Sequence, residues 1–266
     1  MVAPLYPKLL TALMDRWGID KGVVTRTVHL VKLTPAQLQQ FQTEGYLVLH
    51  HFFTERETAA MRAELERFKR EGLMRNVATE GDGKTHSKTV QNLQICPIAP
   101  QSEFYRALPF CPKVIEVVQQ LIGYPIMHHL DQIFLKPGKS GVGTGWHQDN
   151  AYFRLADPTK GTGMWVALHE AHVANGTMHV LPRAFRKLHD HERDGGSDQH
   201  IRCVVDETQA IAIEMPAGGA LFFNYGVPHC TKANTTDKVR ISVKVSTCFG
   251  FKFPLIGAQR RWCSCS

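Results

Sequence analysis

The chain has 266 residues, of which 43% are hydrophobic and 21% charged, an ordinary balance for a globular protein able to bury a core. No apolar run approaches the ~18–20 residues of a membrane-spanning helix, which excludes a helical membrane span. The net charge is +7 and the pI near 9.1, but the basic residues are dispersed, so neither nucleic acid nor a polyanionic partner is argued for.

The N-terminal segment carries one short apolar stretch, Leu9 to Met14, among early charges of both signs. It lacks a secretory apolar region followed by a small-residue cleavage site, and Asp15 and Asp20 spoil the acid-poor pattern of an import helix. A cytoplasmic location is expected, with organelle import as the alternative. Thr34-Pro35 then opens a helix with Leu38 and Phe41 on one face, Gly45 ends it, and Tyr46–Leu49 reads as a strand. Thr54 caps a second helix, with Glu57 completing a capping box and Met61, Leu65 and Phe68 on one stripe. Residues 72–88 are polar and glycine-containing and read as a mobile loop. Pro112 to Leu121 reads as a third helix with Val114, Val117, Val118 and Leu121 inward and Gly123 as its stop.

From about residue 126 the pattern turns to strands: Ile126–Lys136, Gly163–Glu170, Gly176–Leu181, Gln209–Met215, Ala220–Tyr225 and Lys238–Thr247. Asn175-Gly176 is a hairpin signal and Pro216 to Gly219 a second turn. Helices first and strands after predict an α+β, mainly β chain: a sandwich or barrel buttressed by N-terminal helices. With no repeat and no dividing linker, a single domain over 1–266 is expected. Its N-terminal extension would be residues 1–33 and its core 34–250.

The seven cysteines (Cys96, Cys111, Cys203, Cys230, Cys248, Cys263 and Cys265) are odd in number and form no C-x-x-C pair. They predict free thiols in a reducing compartment. Cys263 stands fourth from the end, but Ser264 and Cys265 are not aliphatic, which argues against prenylation.

His147-Gln148-Asp149, then His229, then Arg240 carry the chemistry. On a strand His147 and Asp149 would face one way and Gln148 the other. Two histidines and a carboxylate suit a ferrous ion held on one face with open positions opposite. Arg240 lies eleven residues past His229, which in an oxygen-using iron enzyme would be a good place for the cation gripping a dicarboxylate co-substrate. In its strand, Ile241, Val243 and Val245 take one face and Arg240, Ser242, Lys244 and Ser246 the other. A lone H-x-D among 14 histidines is weak, and the surrounding residues decide.

Those surroundings are Gly143-Thr-Gly-Trp-His-Gln-Asp-Asn150, Asn175-Gly-Thr-Met-His-Val-Leu-Pro-Arg183, Pro228-His-Cys-Thr231 and Arg240, with the opening Thr34 to Phe53. Together, over roughly residues 34–250, they resemble the phytanoyl-CoA dioxygenase family of Fe(II)- and 2-oxoglutarate-dependent oxygenases. The resemblance implies a double-stranded β-helix (a cupin-like jelly roll) with iron bound by His147, Asp149 and His229. It implies that Arg240 pairs with the far carboxylate of 2-oxoglutarate and that the Thr231 hydroxyl contacts the same group. Gln132 and Lys88 are further candidates for the co-substrate pocket. Fe(II), 2-oxoglutarate and O2 are implied, with ascorbate as a reductant. Asp149, where related halogenases have a small residue, points to hydroxylation, with release of succinate and CO2.

Trp146, Tyr152 and Phe153 flank the triad and read equally as cavity walls or core aromatics. Gln148 and Asn150 read equally as orienting groups or ordinary strand polar residues. His128-His129 and His169-x-x-His172 read as packing or surface histidines, and Arg186–His200, with His189 and His191, as a solvated loop or lid. Cys230 is oxidation-prone only if exposed. The expected substrate is a small polar metabolite, with no nucleic acid; the oligomeric state is not readable. A non-catalytic metal-binding jelly roll acting as a sensor is one alternative. A nucleic-acid demethylase is the other, and the lack of a second arginine between Arg240 and Arg260 counts against it.

Overall fold

The computed structural model describes residues 31–250. The readings of residues 1–30, Cys263 and Cys265 fall outside them.

Helix α1 (Pro35–Glu44) starts where Thr34 Oγ1 accepts from Gln37 N at 3.2 Å and Gln37 Oε1 accepts from Thr34 N at 2.9 Å. This reciprocal cap satisfies donors that a helix start leaves open. Gly45, at φ +87, ends the helix in a left-handed conformation and leads into β1 (Tyr46–Leu49). Helix α2 (Glu55–Arg70) repeats the capping box with Thr54 and Glu57 and buries Thr58, Met61, Leu65 and Phe68 along one stripe. Short α3 (Glu103–Ala107) precedes α4 (Pro112–Ile122), which buries Val114, Val117, Val118 and Ile122 and stops at Gly123.

The strands are β2 (Arg75–Asn76), β3 (Leu93–Ile95), β4 (Ile126–Lys136), β5 (Thr144–His147), β6 (Gly161–Ala167), β7 (Met178–Val180), β8 (His191–Arg193), β9 (Ile201–Cys203), β10 (Ile211–Ala212), β11 (Ala220–Asn224), β12 (His229–Thr231) and β13 (Arg240–Phe249). A large antiparallel sheet runs β1-β11-β6-β13-β4-β3-β2 and a smaller one β10-β7-β12-β5, with β8 and β9 as a separate pair. Trp165, Leu221 and Phe223 of the large sheet meet Met178 and Val180 of the small one, so the two sheets pack face to face. This is the jelly roll expected.

The other face of the large sheet is apolar. Ile241, Val243 and Val245 of β13, Ile133 and Leu135 of β4 and Phe222 of β11 pack with Met61, Leu65 and Phe68 of α2 and the valines of α4. Each such fully buried side chain stabilises the fold by roughly 1.5–3 kcal/mol. The strand period then delivers the alternate residues to the space between the sheets. Arg240 stands opposite Lys136, Ser242 opposite Phe134 and Lys244 opposite Gln132.

Three expectations are corrected. Residues 72–88 are not a loose loop: Val77 and Ala78 are buried, Ala78 bridges to Ser197, and Gly83 N donates to Gly195 O at 2.8 Å. Asn175-Gly176 is not the tip of a hairpin, because β6 and β7 lie in different sheets. Asn175 instead closes a 3-10 turn, its Oδ1 accepting from His172 N at 3.0 Å. Gly176 follows at φ +77, where a Cβ would stand 2.3 Å from Lys232 O. Finally, the stretch 186–200 contains β8, which pairs with β9 just beyond it, and Arg75 forms an ion pair with its Asp198.

Candidate active site

Strand β5 ends at His147, and Asp149 already has helical angles (φ −57, ψ −33) as the cap of a one-turn helix α5 (Asn150–Phe153). The expectation that strand alternation aligns His147 with Asp149 is therefore corrected: a turn brings the carboxylate round. Gln148 secures that turn. Its Nε2 donates to Gly226 O at 2.6 Å and Lys187 O at 2.7 Å, and its Oε1 accepts from His189 N at 2.8 Å. His191 Nε2 accepts from Gln148 N at 3.1 Å.

His229 sits directly across from His147 on neighbouring strands, with ring centroids 4.2 Å apart. His229 Nε2 is 3.7 Å from Asp149 Oδ1. One ligand atom from each of His147, Asp149 and His229 lies within 4.8 Å of the others, and all three residues are buried. His147 Nδ1 is 2.9 Å from Gly145 O and His229 Nδ1 is 3.0 Å from Val227 O. A carbonyl can only accept, so each Nδ1 carries the proton and each Nε2 presents a lone pair.

Burial pushes His147 down to about 4 and His229 well below the usual histidine range, so both are neutral at physiological pH. Burial pushes Asp149 upward, but Lys244, His229 and His147 outweigh it and hold the carboxyl below its ordinary range. Lys244 Nζ donates to Asp149 Oδ1 at 2.6 Å, while Oδ2 is buried with no hydrogen-bond partner. Two neutral imidazoles and an ionised carboxylate with an orphaned oxygen form a donor set that fits a ferrous ion.

A second group of charges lies deeper between the sheets. Arg240 is fully buried and donates to Gly176 O at 2.6 Å, Ser242 Oγ at 2.9 Å and Asn175 O at 3.5 Å. Its guanidinium lies 5.5 Å from the Trp165 ring centre. Lys136, 1% exposed, donates to Thr231 Oγ1 at 2.8 Å and to Lys232 O. Among the described residues neither cation has a carboxylate partner. Burial alone pulls Arg240 down to about 9; burial and then Arg240 pull Lys136 well below the lysine range. Two adjacent buried cations without a countercharge are costly, and an entering anion relieves both.

Of the other candidates, Gln132 is half-buried on the inner face beside Lys244. Lys88 is exposed, its backbone N donating to Glu80 Oε1 at 3.1 Å, and the structure does not bring it to the cluster. Lys136 stands there instead, and strand alternation through Gln132, Phe134 and Lys136 is the signal that finds it. Tyr152 packs edge-on to His147 at 6.0 Å, and its hydroxyl accepts from Ile201 N at 2.9 Å. Phe153 stacks on His129 at 4.1 Å, whereas Trp146 belongs to a small core with Leu181, Cys203 and Cys230. Asn150 ties its own turn through Leu155. Cys230 is buried, and burial pushes its thiol up to about 12, which makes it inert. His200, from the presumed solvated stretch, is buried and pushed down to about 3, by burial and then by His147. Its Nε2 lies 3.3 Å from Gln94 Nε2.

Comparisons with known proteins bear on the family and the fold. The profile of the phytanoyl-CoA dioxygenase (PhyH) family matches residues 41–242. The ectoine dioxygenase of Bordetella parapertussis is 22% identical over 232 residues, covering 79% of this chain and 74% of the relative. The peroxisomal phytanoyl-CoA dioxygenase of Rattus norvegicus is 24% identical over 230 residues, covering 79% and 67%. Among solved structures, the non-heme alpha ketoglutarate dependent carbocyclase SnoK from nogalamycin biosynthesis superposes with a TM-score of 0.68 at 20% identity, covering 82% of this chain and 85% of SnoK. EvdO2 from Micromonospora carbonacea var. aurantiaca, complexed with 2-oxoglutarate, gives 0.66 at 22%, covering 88% and 98%. The chain belongs to the phytanoyl-CoA dioxygenase (PhyH) family, whose members are 2-oxoglutarate-dependent non-haem iron dioxygenases.

Proposed function

We propose that this chain is an Fe(II)- and 2-oxoglutarate-dependent dioxygenase that hydroxylates a small polar metabolite. The observation that carries the reading is one buried cleft holding both a His147–Asp149–His229 donor set and, behind it, the uncompensated cations Arg240 and Lys136. His147 Nε2, His229 Nε2 and an Asp149 oxygen would hold the iron. Arg240 and Lys136, with the Thr231 hydroxyl, would take the far carboxylate of the co-substrate, Arg240 through its planar guanidinium. When bound, the iron and 2-oxoglutarate supply O2 activation: 2-oxoglutarate, O2 and a substrate C–H give succinate, CO2 and the alcohol.

The protein's own contribution is positional. Gly145 O and Val227 O fix the imidazole tautomers, Gln148 holds the turn that aims Asp149, and the apolar walls Trp165 and Phe223 keep water from the deep end. Gln132 and Lys244 stand side by side on the inner face next to Asp149, and Gln94 and His200 are buried beside each other; these polar groups favour a small polar substrate over a hydrocarbon chain. Neither a nucleic-acid substrate nor a purely sensory role has a comparable observation behind it.

The test is anaerobic addition of Fe(II) and then 2-oxoglutarate, reading the visible charge-transfer band of the chelate. The wild type should show the band, His147→Ala should lose it, and Arg240→Ala should need at least tenfold more 2-oxoglutarate. A well-folded wild type with no band overturns the proposal.

A further inference from the structure

Lys244 has no part in the chemistry proposed above, yet it is only 6% exposed and donates to Asp149 Oδ1 at 2.6 Å. A buried ammonium persists only beside a countercharge. Among the described residues Asp149 is the one carboxylate within ion-pair distance of it. Its neighbours across the sheet, Gln132 on β4 and Trp165 on β6, carry no charge, and the ring centre of Phe223 lies 5.5 Å away. Lys244 and Asp149 thus neutralise each other, and the same Asp149 belongs to the donor set assigned to the metal.

A divalent ion bound there would share the carboxylate with the ammonium. Two effects of opposite sign follow. A partner that orients a ligand typically improves metal affinity 10- to 100-fold. A like charge buried beside the ion opposes binding, and in a water-excluded site that repulsion is strong. The ion pair also stabilises the protein most when nothing else neutralises Asp149, so the metal-free form gains more from it than the metal-bound form. Both charge effects act against the metal and oppose the gain from orientation.

We propose that Lys244 is a resident counter-cation of the metal seat. It holds the Asp149 carboxylate in place without metal, weakens metal binding, and makes loading depend on the dianionic co-substrate, whose two negative charges relieve the repulsion. By linkage, Lys244 strengthens the coupling between the two ligands. This inference rests on the assignment of His147, Asp149 and His229 as metal ligands.

The experiment titrates Mn2+ into the full metal-free chain, following the EPR signal of the free aqua ion, with and without 2-oxoglutarate. It compares the wild type with Lys244→Met, Lys244→Gln and His147→Ala. Lys244→Gln keeps a donor without the charge, and it carries the test if the methionine variant fails to fold. Both Lys244 variants should bind Mn2+ at least tenfold more tightly than wild type in the absence of 2-oxoglutarate. The affinity gained on adding 2-oxoglutarate should shrink, and metal-free melting should fall. Equal or weaker Mn2+ binding by Lys244→Gln overturns the proposal and leaves Lys244 an orienting group. Undiminished binding by His147→Ala would sink the metal seat itself, a different failure from the first.

Discussion

At the scale of single residues, the informative groups are those whose burial has no local excuse. Lys136 is the sharpest case, a lysine whose ammonium reaches only a hydroxyl and a carbonyl. Removing a hydrogen bond to a charged group costs about 1.5–3 kcal/mol. Lys136→Met should therefore raise the 2-oxoglutarate KM by roughly 10–100-fold, since each 1.4 kcal/mol is a factor of ten. Steady-state succinate release at varied 2-oxoglutarate measures this, and an unchanged KM would remove Lys136 from the pocket. His147, Asp149, His229 and Arg240 are legible in the sequence because their residue types and order are distinctive. Lys136 and Lys244 are not, because a lysine in a strand is ordinarily a solvated residue. Alternation along β4 and β13 gives the face each shares with Gln132 or Arg240, and the pairing of the two strands shows that this face is buried between the sheets. Lys88 shows the reverse error: a lysine at a suggestive sequence position whose side chain is exposed.

At the scale of elements, local chemistry is legible and sheet membership is not. The capping residues Thr34 and Thr54 and the stop at Gly123 fall where the sequence puts them, because a cap is decided within four residues. Thr54→Ala should cost about 1 kcal/mol, seen as a lower urea midpoint with an unchanged slope. No loss would mean that tertiary packing alone fixes the start of α2. By contrast, Asn175-Gly176 has good hairpin chemistry but joins two different sheets, a fact set by residues far away in sequence. The strand β2 is equally illegible, since two residues, Arg75 and Asn76, carry no period. The turn that aims Asp149 is hidden for a related reason: Gln148 finds its partners at Lys187 and Gly226, far along the chain.

For the whole molecule, stability and the site are linked through protons. His147 and His200 are buried neutral, at about 4 and about 3, against 6.5 in an unfolded chain. Between those values the unfolded state binds more protons, so this share of stability is present above pH 6.5 and is lost as the pH falls below it. The loss approaches about 1.4 kcal/mol per pH unit for each histidine. Urea midpoints of the metal-free protein should drop from pH 7 to pH 5, and His200→Gln should flatten the slope. A midpoint that stays level over that range would mean that neither imidazole is desolvated in solution.

Strand β13 has an implication for how this sequence can change. Its odd and even positions answer to different tests, one set to the fit against α2 and α4 and the other to the chemistry of the cleft. Point changes can harm either test alone. A one-residue deletion or insertion between Arg240 and Val245 would turn over every position on one side of it, for example moving valine into the cleft and driving lysine against the helices. Such length changes should be absent from any library selected for activity, while the turn before the strand, at Thr235 to Lys238, should accept them.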